Sequence, residues 1–194
     1  MKELENIGAI KKTSLLDGWV EFPRQPDEFA DSWSRSLTLA FDQSIELVFF
    51  CRGIPVDPDS AAFYRQLVTE KPALTGDEKL TPQEIIRLQV ILGYNNAGNN
   101  QYTNAKPLGD PAGPAFELKE AACRRVKERT VVYVRGKFVH GKHYAGIFFN
   151  AQAHNNLLFE EVIMQASSSR KLQDSLYHFE HVTNNINWLT AVTP

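Results

Sequence analysis

Hydrophobic and polar positions alternate along several stretches of the chain, and a period of two residues predicts β-strands. In residues 32–41, "SWSRSLTLAF", Leu37, Leu39 and Phe41 alternate with polar or small residues. The turn residues of "DQS" follow, and "IELVFFC" is a second apolar run. We therefore predict a β-hairpin over residues 33–51.

Three later segments, "TVVYVRGKFV", "HYAGIFFNAQ" and "LLFEEVIMQA", are rich in β-branched and aromatic residues, which favour strands. Gly141 and Lys142 form the expected two-residue loop between the first two, and "HNN" supplies the next turn. The three segments predict a β-meander. The preceding stretch, residues 116–129, fits a helix by composition and a strand by context; we favour the strand.

Apolar residues three and four positions apart predict three helices. Asp57 can cap a helix over residues 58–69 that has proline at its first position. Thr81 and Glu84 form a capping box for a second helix, and Gly93 follows its last apolar residue, as a terminating glycine does.

The third helix is expected over residues 170–187, with Ser168 or Ser169 as its cap. Its apolar face consists of Leu172, Leu176, Phe179, Ile186 and Leu189. Strands with a period of two beside a helix with one apolar face predict helices packed on a sheet.

A long polar stretch, residues 94–114, interrupts these elements and is predicted to be a surface loop. Tyrosine and asparagine suit adaptable recognition surfaces, so this loop is a candidate partner-binding site. The leading contacts are Tyr94, Asn99, Asn100, Gln101, Tyr102 and Asn104. The alternative is an insertion that binds nothing. A second candidate surface holds Arg135 and Lys137, which share one side of their strand and could meet an acidic partner.

Composition narrows the class of protein. The 194 residues suit one domain, and the net charge of -2 gives no reason to expect a nucleic-acid partner. We expect no signal peptide and no membrane insertion, because the first residues are charged and the apolar runs are short. Two distant cysteines, Cys51 and Cys123, suit free thiols in a reducing compartment, so we expect a cytoplasmic protein.

The histidines offer two pairs, but neither has the ligands of a metal site. His140 and His143 flank the Gly141–Lys142 loop and would form a cross-strand pair, with no third ligand nearby in the sequence. His178 and His181 share a sector of the third helix without the glutamate of an HExxH motif, and we expect both to be partly exposed. We predict neither a bound metal nor a cofactor.

Nucleophilic catalysis would have to use a residue such as Cys123. Arg124 and Arg125 follow it and could lower the pKa of its thiol. The adjacent Glu160 and Glu161 point to opposite faces of a strand, so they cannot act together on one substrate.

Several phrases resemble the PsbP-like family of proteins. "SLLDGWVEFP" is similar to that family's entry, and "VVYVRGKF", "HYAGIFF" and "LLFEEVIMQAS" are similar to its last strands. Ile186 and Trp188 fall where its closing helix ends. The resemblance covers residues 13–22 and 116–189 and consists of packing motifs.

The resemblance implies an antiparallel sheet with helices on both faces, and it carries no catalytic residue. Family members are mostly non-catalytic binders, including a Ran-binding protein and the Eag-type chaperones of type VI secretion effectors. We therefore predict an α+β fold, mostly antiparallel, and a cytosolic protein-binding module such as a secretion-system immunity protein or effector chaperone. The alternative is a small hydrolase or transferase that uses a cysteine or histidine, and a homodimer is also left open.

Overall fold

The computed structural model describes residues 1–21, 34–55, 57–99, 116–138, 141–151 and 158–189. The strands in these residues are β1 Lys2–Ile7, β2 Ile10–Leu15, β3 Trp19–Glu21, β4 Ser34–Leu39, β5 Asp42–Pro55, β6 Glu78–Lys79, β7 Phe116–Val126, β8 Arg129–Phe138, β9 His143–Asn150, β10 Leu158–Ala166 and β11 Asn187–Trp188. The helices are α1 Pro58–Glu70, α2 Pro82–Asn99 and α3 Ser169–Asn184.

Eight strands form one sheet in the order β3-β4-β5-β10-β9-β8-β7-β6, and every paired neighbour is antiparallel. A smaller sheet has the order β1-β2-β11. Helices cover both faces of the large sheet, so the predicted α+β class is confirmed.

The predicted strands are confirmed, with one correction. β4 and β5 form the expected hairpin, β8 to β10 form the meander, and residues 116–126 are a strand rather than a helix. Phe41 was expected on the buried side with Leu37 and Leu39, but it lies in the turn and is 72% exposed. The alternation ends there because the chain reverses at Ala40 and Phe41.

Both predicted N-terminal caps of the first two helices are formed. The Asp57 side chain accepts the Ser60 N–H at 2.9 Å. Thr81 and Glu84 exchange side-chain and backbone bonds, Thr81 N to Glu84 Oε2 at 2.6 Å and Glu84 N to Thr81 Oγ1 at 3.3 Å. These bonds satisfy amide groups that the first helical turn leaves without partners.

The predicted end of α2 at Gly93 is wrong, because the helix continues to Asn99. An interior glycine costs a helix only about 1 kcal/mol relative to alanine, which neighbouring turns can offset. The first residues of the predicted loop, 94–99, are therefore helical. Its remaining residues, 100–114, lie outside the described part of the chain.

α3 begins at the predicted place but ends earlier than expected. The Ser168 side chain accepts the Lys171 N–H at 3.2 Å and caps the helix. The helix ends at Asn184, and Ile186 is buried in the segment that leads into β11. Ile186 therefore joins the same core from outside the helix, whereas Leu189 is 40% exposed.

No strand was predicted in the first twenty residues, where β1 and β2 form what we call the first hairpin (residues 2–15). Its buried apolar residues do not follow a period of two; they are Leu4, Ile7, Ala9, Ile10 and Leu15. Gly8 adopts a positive φ of 53° at the turn. The turn at Gly8 was therefore the sequence signal for this hairpin, because its strands show only a weak two-residue alternation of apolar and polar residues.

The core on one face lies among the large sheet, α3 and the first hairpin. Its larger side chains include Leu4, Ile10, Leu15, Trp19, Leu37, Leu47, Phe49, Ile147, Phe149, Met164, Phe179 and Trp188. Full burial of one such side chain stabilises the fold by about 1.5–3 kcal/mol. This face therefore holds the first hairpin as well as α3.

The core on the other face lies between the sheet and helices α1 and α2. It includes Phe63, Tyr64, Leu67, Leu88, Ile91, Leu118, Val132, Tyr144, Phe148, Phe159 and Ile163. The ring centroids of Tyr64 and Phe159 are 4.7 Å apart, and those of Phe148 and Phe159 are 5.9 Å apart. Aromatic contacts at these distances add to the stabilisation from burial.

Arg124 on β7 connects three parts of the fold. Its guanidinium group stacks 4.0 Å above the ring of Tyr133. It donates to both oxygens of Asp77, in the connection before β6, and to both oxygens of Glu180 on α3, at 2.8–3.2 Å. A planar guanidinium can make two such forked contacts at once, whereas a lysine ammonium is a single point charge.

We expect Arg124→Lys to lower the free energy of unfolding by about 1–3 kcal/mol, because the forked bonds and the ring contact are lost. Urea denaturation of both proteins measures the difference. Arg125→Lys is the matched control, since Arg125 is exposed and donates to the carbonyl of Lys127. Its effect should stay within about 0.5 kcal/mol, and an equal loss in the two variants would contradict this role of Arg124.

Candidate functional site

The loop between β8 and β9 is longer than predicted. The last pair in the β8–β9 register is Lys137 with His143. The Phe138 N–H donates to the carbonyl of Lys142 at 2.8 Å, so the turn spans more than Gly141 and Lys142. The predicted cross-strand pairing of His143 with His140 is therefore wrong, and residues 139–140 lie outside the described part of the chain.

The two histidines of α3 have different surroundings. His181 is half-buried, with its Nε2 3.0 Å from Ser14 Oγ. His178 was also expected to be partly exposed, but it is only 4% exposed, so that prediction is wrong. The indole N–H of Trp19 donates to His178 Nδ1 at 3.2 Å, and the two rings meet edge to face. Burial, with His181 nearby, lowers the pKa of His178.

Cys123 is buried on the face that α1 covers, with its sulfur 3.7 Å from the carbonyl of Leu67. Burial raises the pKa of its thiol to about 12. The predicted lowering by Arg124 and Arg125 is wrong, because Arg124 projects to the opposite face and Arg125 is exposed. A thiol in this state is a poor nucleophile, since the thiolate is the reactive form. The side chain of Cys51 lies outside the description.

Glu160 and Glu161 project to opposite faces of β10, as predicted, and both are nearly fully buried. Glu160 Oε2 accepts the backbone N–H of Ala9 at 2.7 Å. A side chain at Gly8 would collide with this carboxyl group, so the turn of the first hairpin sits directly against it. Burial raises the pKa of Glu160 to about 7, with the Ala9 N–H and Arg129 acting in the opposite direction.

Glu161 lies in the aromatic core of the other face, opposite Phe148 in the strand register. Its Oε2 is buried and has no hydrogen-bond partner in the described residues. Burial raises the pKa of Glu161 to about 7. The charge of Glu161 also adds to the effect of burial in raising the pKa of Tyr144. An ionised Glu161 would therefore cost the fold considerable stability.

Within the ranges that the structure describes, no three His, Cys, Asp or Glu side chains come together as metal ligands would. No helix in the same ranges is long and apolar enough to cross a bilayer.

The two cations of the second predicted surface differ in their surroundings. The Arg135 side chain donates to Gln173 Oε1 on α3 at 3.0 Å and lies 3.9 Å from Glu120. Lys137, two residues later, forms no ion pair with any described residue. Arg135 therefore helps to fix α3, whereas no such contact of Lys137 is found among the described residues.

Further basic groups lie close to Lys137. His143 is its partner in the register, and Lys119 is an exposed residue in an irregular part of β7. Partial burial lowers the pKa of His143, and the positive charges of Lys137 and Lys119 lower it further. Glu117 is the nearby carboxylate that acts in the opposite direction. Among the described residues that act on His143, two lysines therefore stand against one carboxylate.

Helix α2 runs toward the same end of the sheet. The Leu80 N–H donates to the carbonyl of Ala121, and nine residues later Gln89 accepts the N–H of Leu118. The helix is therefore antiparallel to β7, and its last ten residues extend about 15 Å further in that direction. Tyr94 and Asn99 lie on this extension, although their side chains are outside the description.

We call Lys119, Lys137, His143 and the end of α2 at residues 94–99 the sheet-end surface. Tyr94 and Asn99 of the first predicted surface lie toward the same end of the sheet as Lys137 of the second. Lys137 shares with Arg135 the face that α3 covers, whereas α2 covers the other face. Asn100, Gln101, Tyr102 and Asn104 lie outside the described residues. Lys119 and His143 were not among the predicted contacts, because the strand pairing that brings them near Lys137 is not visible in the sequence.

Comparison with known proteins identifies no relative: no protein family matches the chain, and no curated protein matches it significantly in sequence.

Glu161→Gln is expected to remove part of the pH dependence of stability. The folded-state pKa of about 7 lies above the ordinary value of 4.5. The favourable contribution of this carboxyl group is therefore complete below pH 4.5, declines between pH 4.5 and 7, and is lost above. From pH 4.5 to pH 8, the unfolding free energy of the variant should gain about 3 kcal/mol relative to wild type.

Urea denaturation at the two pH values measures this gain, and Glu117→Gln, which changes an exposed strand carboxyl group, is the control. If Glu161→Gln and Glu117→Gln keep the same pH dependence as wild type, Glu161 is not buried as described.

The thiol of Cys123 is expected to resist alkylation in the folded protein at pH 8 and to react fully in denaturant, because it is buried and protonated. Mass spectrometry of the peptide that contains Cys123 separates its labelling from that of Cys51. Rapid labelling of Cys123 in the native protein would contradict its burial.

Proposed function

We propose that the protein is a non-enzymatic, cytoplasmic module that binds another protein, as immunity proteins and effector chaperones of bacterial secretion systems do. The observation that carries this proposal is the contrast between its reactive groups and its sheet-end surface. Cys123, His178 and Glu160 are buried in packing contacts, whereas Lys119 and Lys137 lie at the surface without an ion pair to any described residue.

Three buried groups that a catalyst could use make structural contacts instead. The Cys123 sulfur faces the Leu67 carbonyl, His178 accepts the Trp19 indole N–H, and Glu160 accepts the Ala9 N–H. These contacts support a binding role over the alternative of a hydrolase or transferase that uses Cys123 or His178, because a nucleophile or base must reach its substrate.

The sheet-end surface favours a partner with an acidic contact region. Lys137 lies opposite Glu117 in the strand register, yet neither Lys137 nor Lys119 forms an ion pair with a described residue, whereas Arg135 lies 3.9 Å from Glu120. Complementary charges accelerate encounter and fix the orientation of a complex. The tyrosine and asparagine residues at the end of α2 would add an aromatic contact and amide hydrogen bonds.

The first test is capture of the partner with the tagged full chain, followed by affinity measurements on charge-reversal variants. We expect Lys137→Glu combined with Lys119→Glu to weaken binding by about tenfold or more, because like charges then face each other. Lys11→Glu is the matched control, since Lys11 is exposed on β2 of the smaller sheet. Equal affinities for the three proteins would remove the sheet-end surface from the proposal, and no stoichiometric partner would contradict the function itself.

The predicted contacts that follow the end of α2 are tested with point substitutions. Residues 94–99 are helical, and a flexible linker there would shorten α2. Replacing Gln101, Tyr102 and Asn104 together by alanine is expected to leave the melting temperature unchanged and to weaken partner binding, since partner contacts are lost without a change in the described core. Unchanged affinity in a normally folded variant would leave the lysines as the binding determinants.

A further inference from the structure

The first hairpin is fastened to the rest of the fold by four side-chain hydrogen bonds, counting the contact of Trp19 just after it. The bond from Thr13 Oγ1 to the Val182 carbonyl, at 2.7 Å, has no titratable partner. Ser14 Oγ lies 3.0 Å from His181 Nε2 and, as a hydroxyl group, can either donate to this nitrogen or accept from it. The other two depend on buried groups that can gain or lose a proton. These are the bond from the Ala9 N–H to Glu160 and the bond from the Trp19 indole to His178.

The contact at His178 requires a neutral imidazole. Its Nδ1 accepts the Trp19 N–H, so the ring proton must be on Nε2, which is buried without a hydrogen-bond partner in the described residues. Protonation of Nδ1 would place two N–H donors against each other and would bury a charge. A falling pH therefore weakens this contact.

Burial at the second contact favours a neutral Glu160 carboxyl group, and it outweighs the Ala9 N–H and Arg129, which favour the carboxylate. The side chain is 5% exposed, and the turn at Gly8 closes over it. Release of the hairpin would return the carboxylate to water, where its charge is stable. A rising pH therefore weakens this contact, in the opposite sense to His178.

Few other charged groups face these two contacts. Arg129 on β8 faces Glu160, while its guanidinium stacks 4.6 Å above the Trp188 ring. His181 is the ionisable neighbour that acts on His178. The ring centroids of Tyr177 and His178 are 4.2 Å apart. The hairpin's own charged side chains are exposed or half-exposed: Lys2, Glu3, Glu5, Lys11 and Lys12.

We propose that the first hairpin is a pH-compensated latch, held by two buried contacts, at Glu160 and His178, that weaken in opposite directions of pH. Where both groups titrate, a loss at one contact is offset by a gain at the other. The hairpin therefore stays docked over a pH range in which the strength of either contact alone would change. This property is independent of which protein the chain binds.

The directions of the pKa shifts of Glu160 and His178 set the pH range over which each contact changes in strength. Glu160 has a folded pKa of about 7 against an ordinary 4.5, so its contribution is complete below pH 4.5 and is lost as the pH rises to 7. The pKa of His178 is lowered from 6.5, so its contribution is complete above pH 6.5 and declines as the pH falls. The two windows overlap just below pH 6.5.

Hydrogen exchange of the full chain, followed by NMR and corrected for intrinsic rates, tests the latch at two atoms. The Ala9 amide reports on the Glu160 contact, and the Trp19 indole N–H reports on the His178 contact. The Ile147 amide in the central strand β9 reports on unfolding of the whole protein. The proteins compared are wild type, Glu160→Gln and His178→Asn.

In Glu160→Gln, protection of both reporters is expected to fall by up to tenfold per pH unit below pH 6.5. In His178→Asn, protection should fall by up to tenfold per unit as the pH rises from 4.5 to 7. Wild type should change less than either variant between pH 5 and 6.5. Adding Trp19→Phe to Glu160→Gln removes the donor that faces Nδ1 and should reduce the acid-side loss at Ala9, which gives a second test if His178→Asn does not fold.

Three results would overturn the latch. If Ala9 and Ile147 exchange with equal protection in every protein, the hairpin opens only when the whole fold does. If protection from exchange changes with pH in the same direction in the two single variants, the two contacts do not oppose each other. If each variant changes protection only at its own reporter, the contacts do not act as one unit.

Discussion

Burial of both faces of the large sheet is the constraint on which the rest of this structure depends. β10 lies inside the sheet, between β5 and β9, and its residues 159–164 are all buried. Because neighbouring residues of a strand point to opposite sides, each face must supply its own cover. Helices α1 and α2 cover one face, and α3 with the first hairpin covers the other. Glu160 and Glu161 are consequently buried in two separate cores.

Local signals predicted the elements well, because each depends on nearby residues. The caps at Asp57, Thr81 and Ser168 need only a side chain and an amide three residues away. The continuation of α2 through Gly93 was not predictable in this way, since a glycine is compatible with both a helix end and a helix interior. The first hairpin was missed because its burial depends on α3, which lies more than 150 residues later in the chain.

Prediction of the candidate site depended on contacts that only the folded chain makes. Lys137 and Arg135 look equivalent in the sequence, but Gln173 of α3 binds only Arg135. The burial of His178 likewise depends on Trp19, 159 residues away. The surroundings of Cys123 were accessible from sequence, because the alternation of a strand places the next residue, Arg124, on the opposite face.

The two ends of the large sheet have a consequence for self-association. β6 has only two residues, the pairing of β7 is irregular between Leu118 and Glu120, and Gln89 occupies the Leu118 N–H. At the other end, the structure describes three residues of β3, up to Glu21. Short or interrupted edges are poor templates for strand addition. The edge of the large sheet formed by β6 and β7 is therefore a poor place for two copies of this chain to join their sheets, and it protects the folded protein against edge-to-edge aggregation on that side.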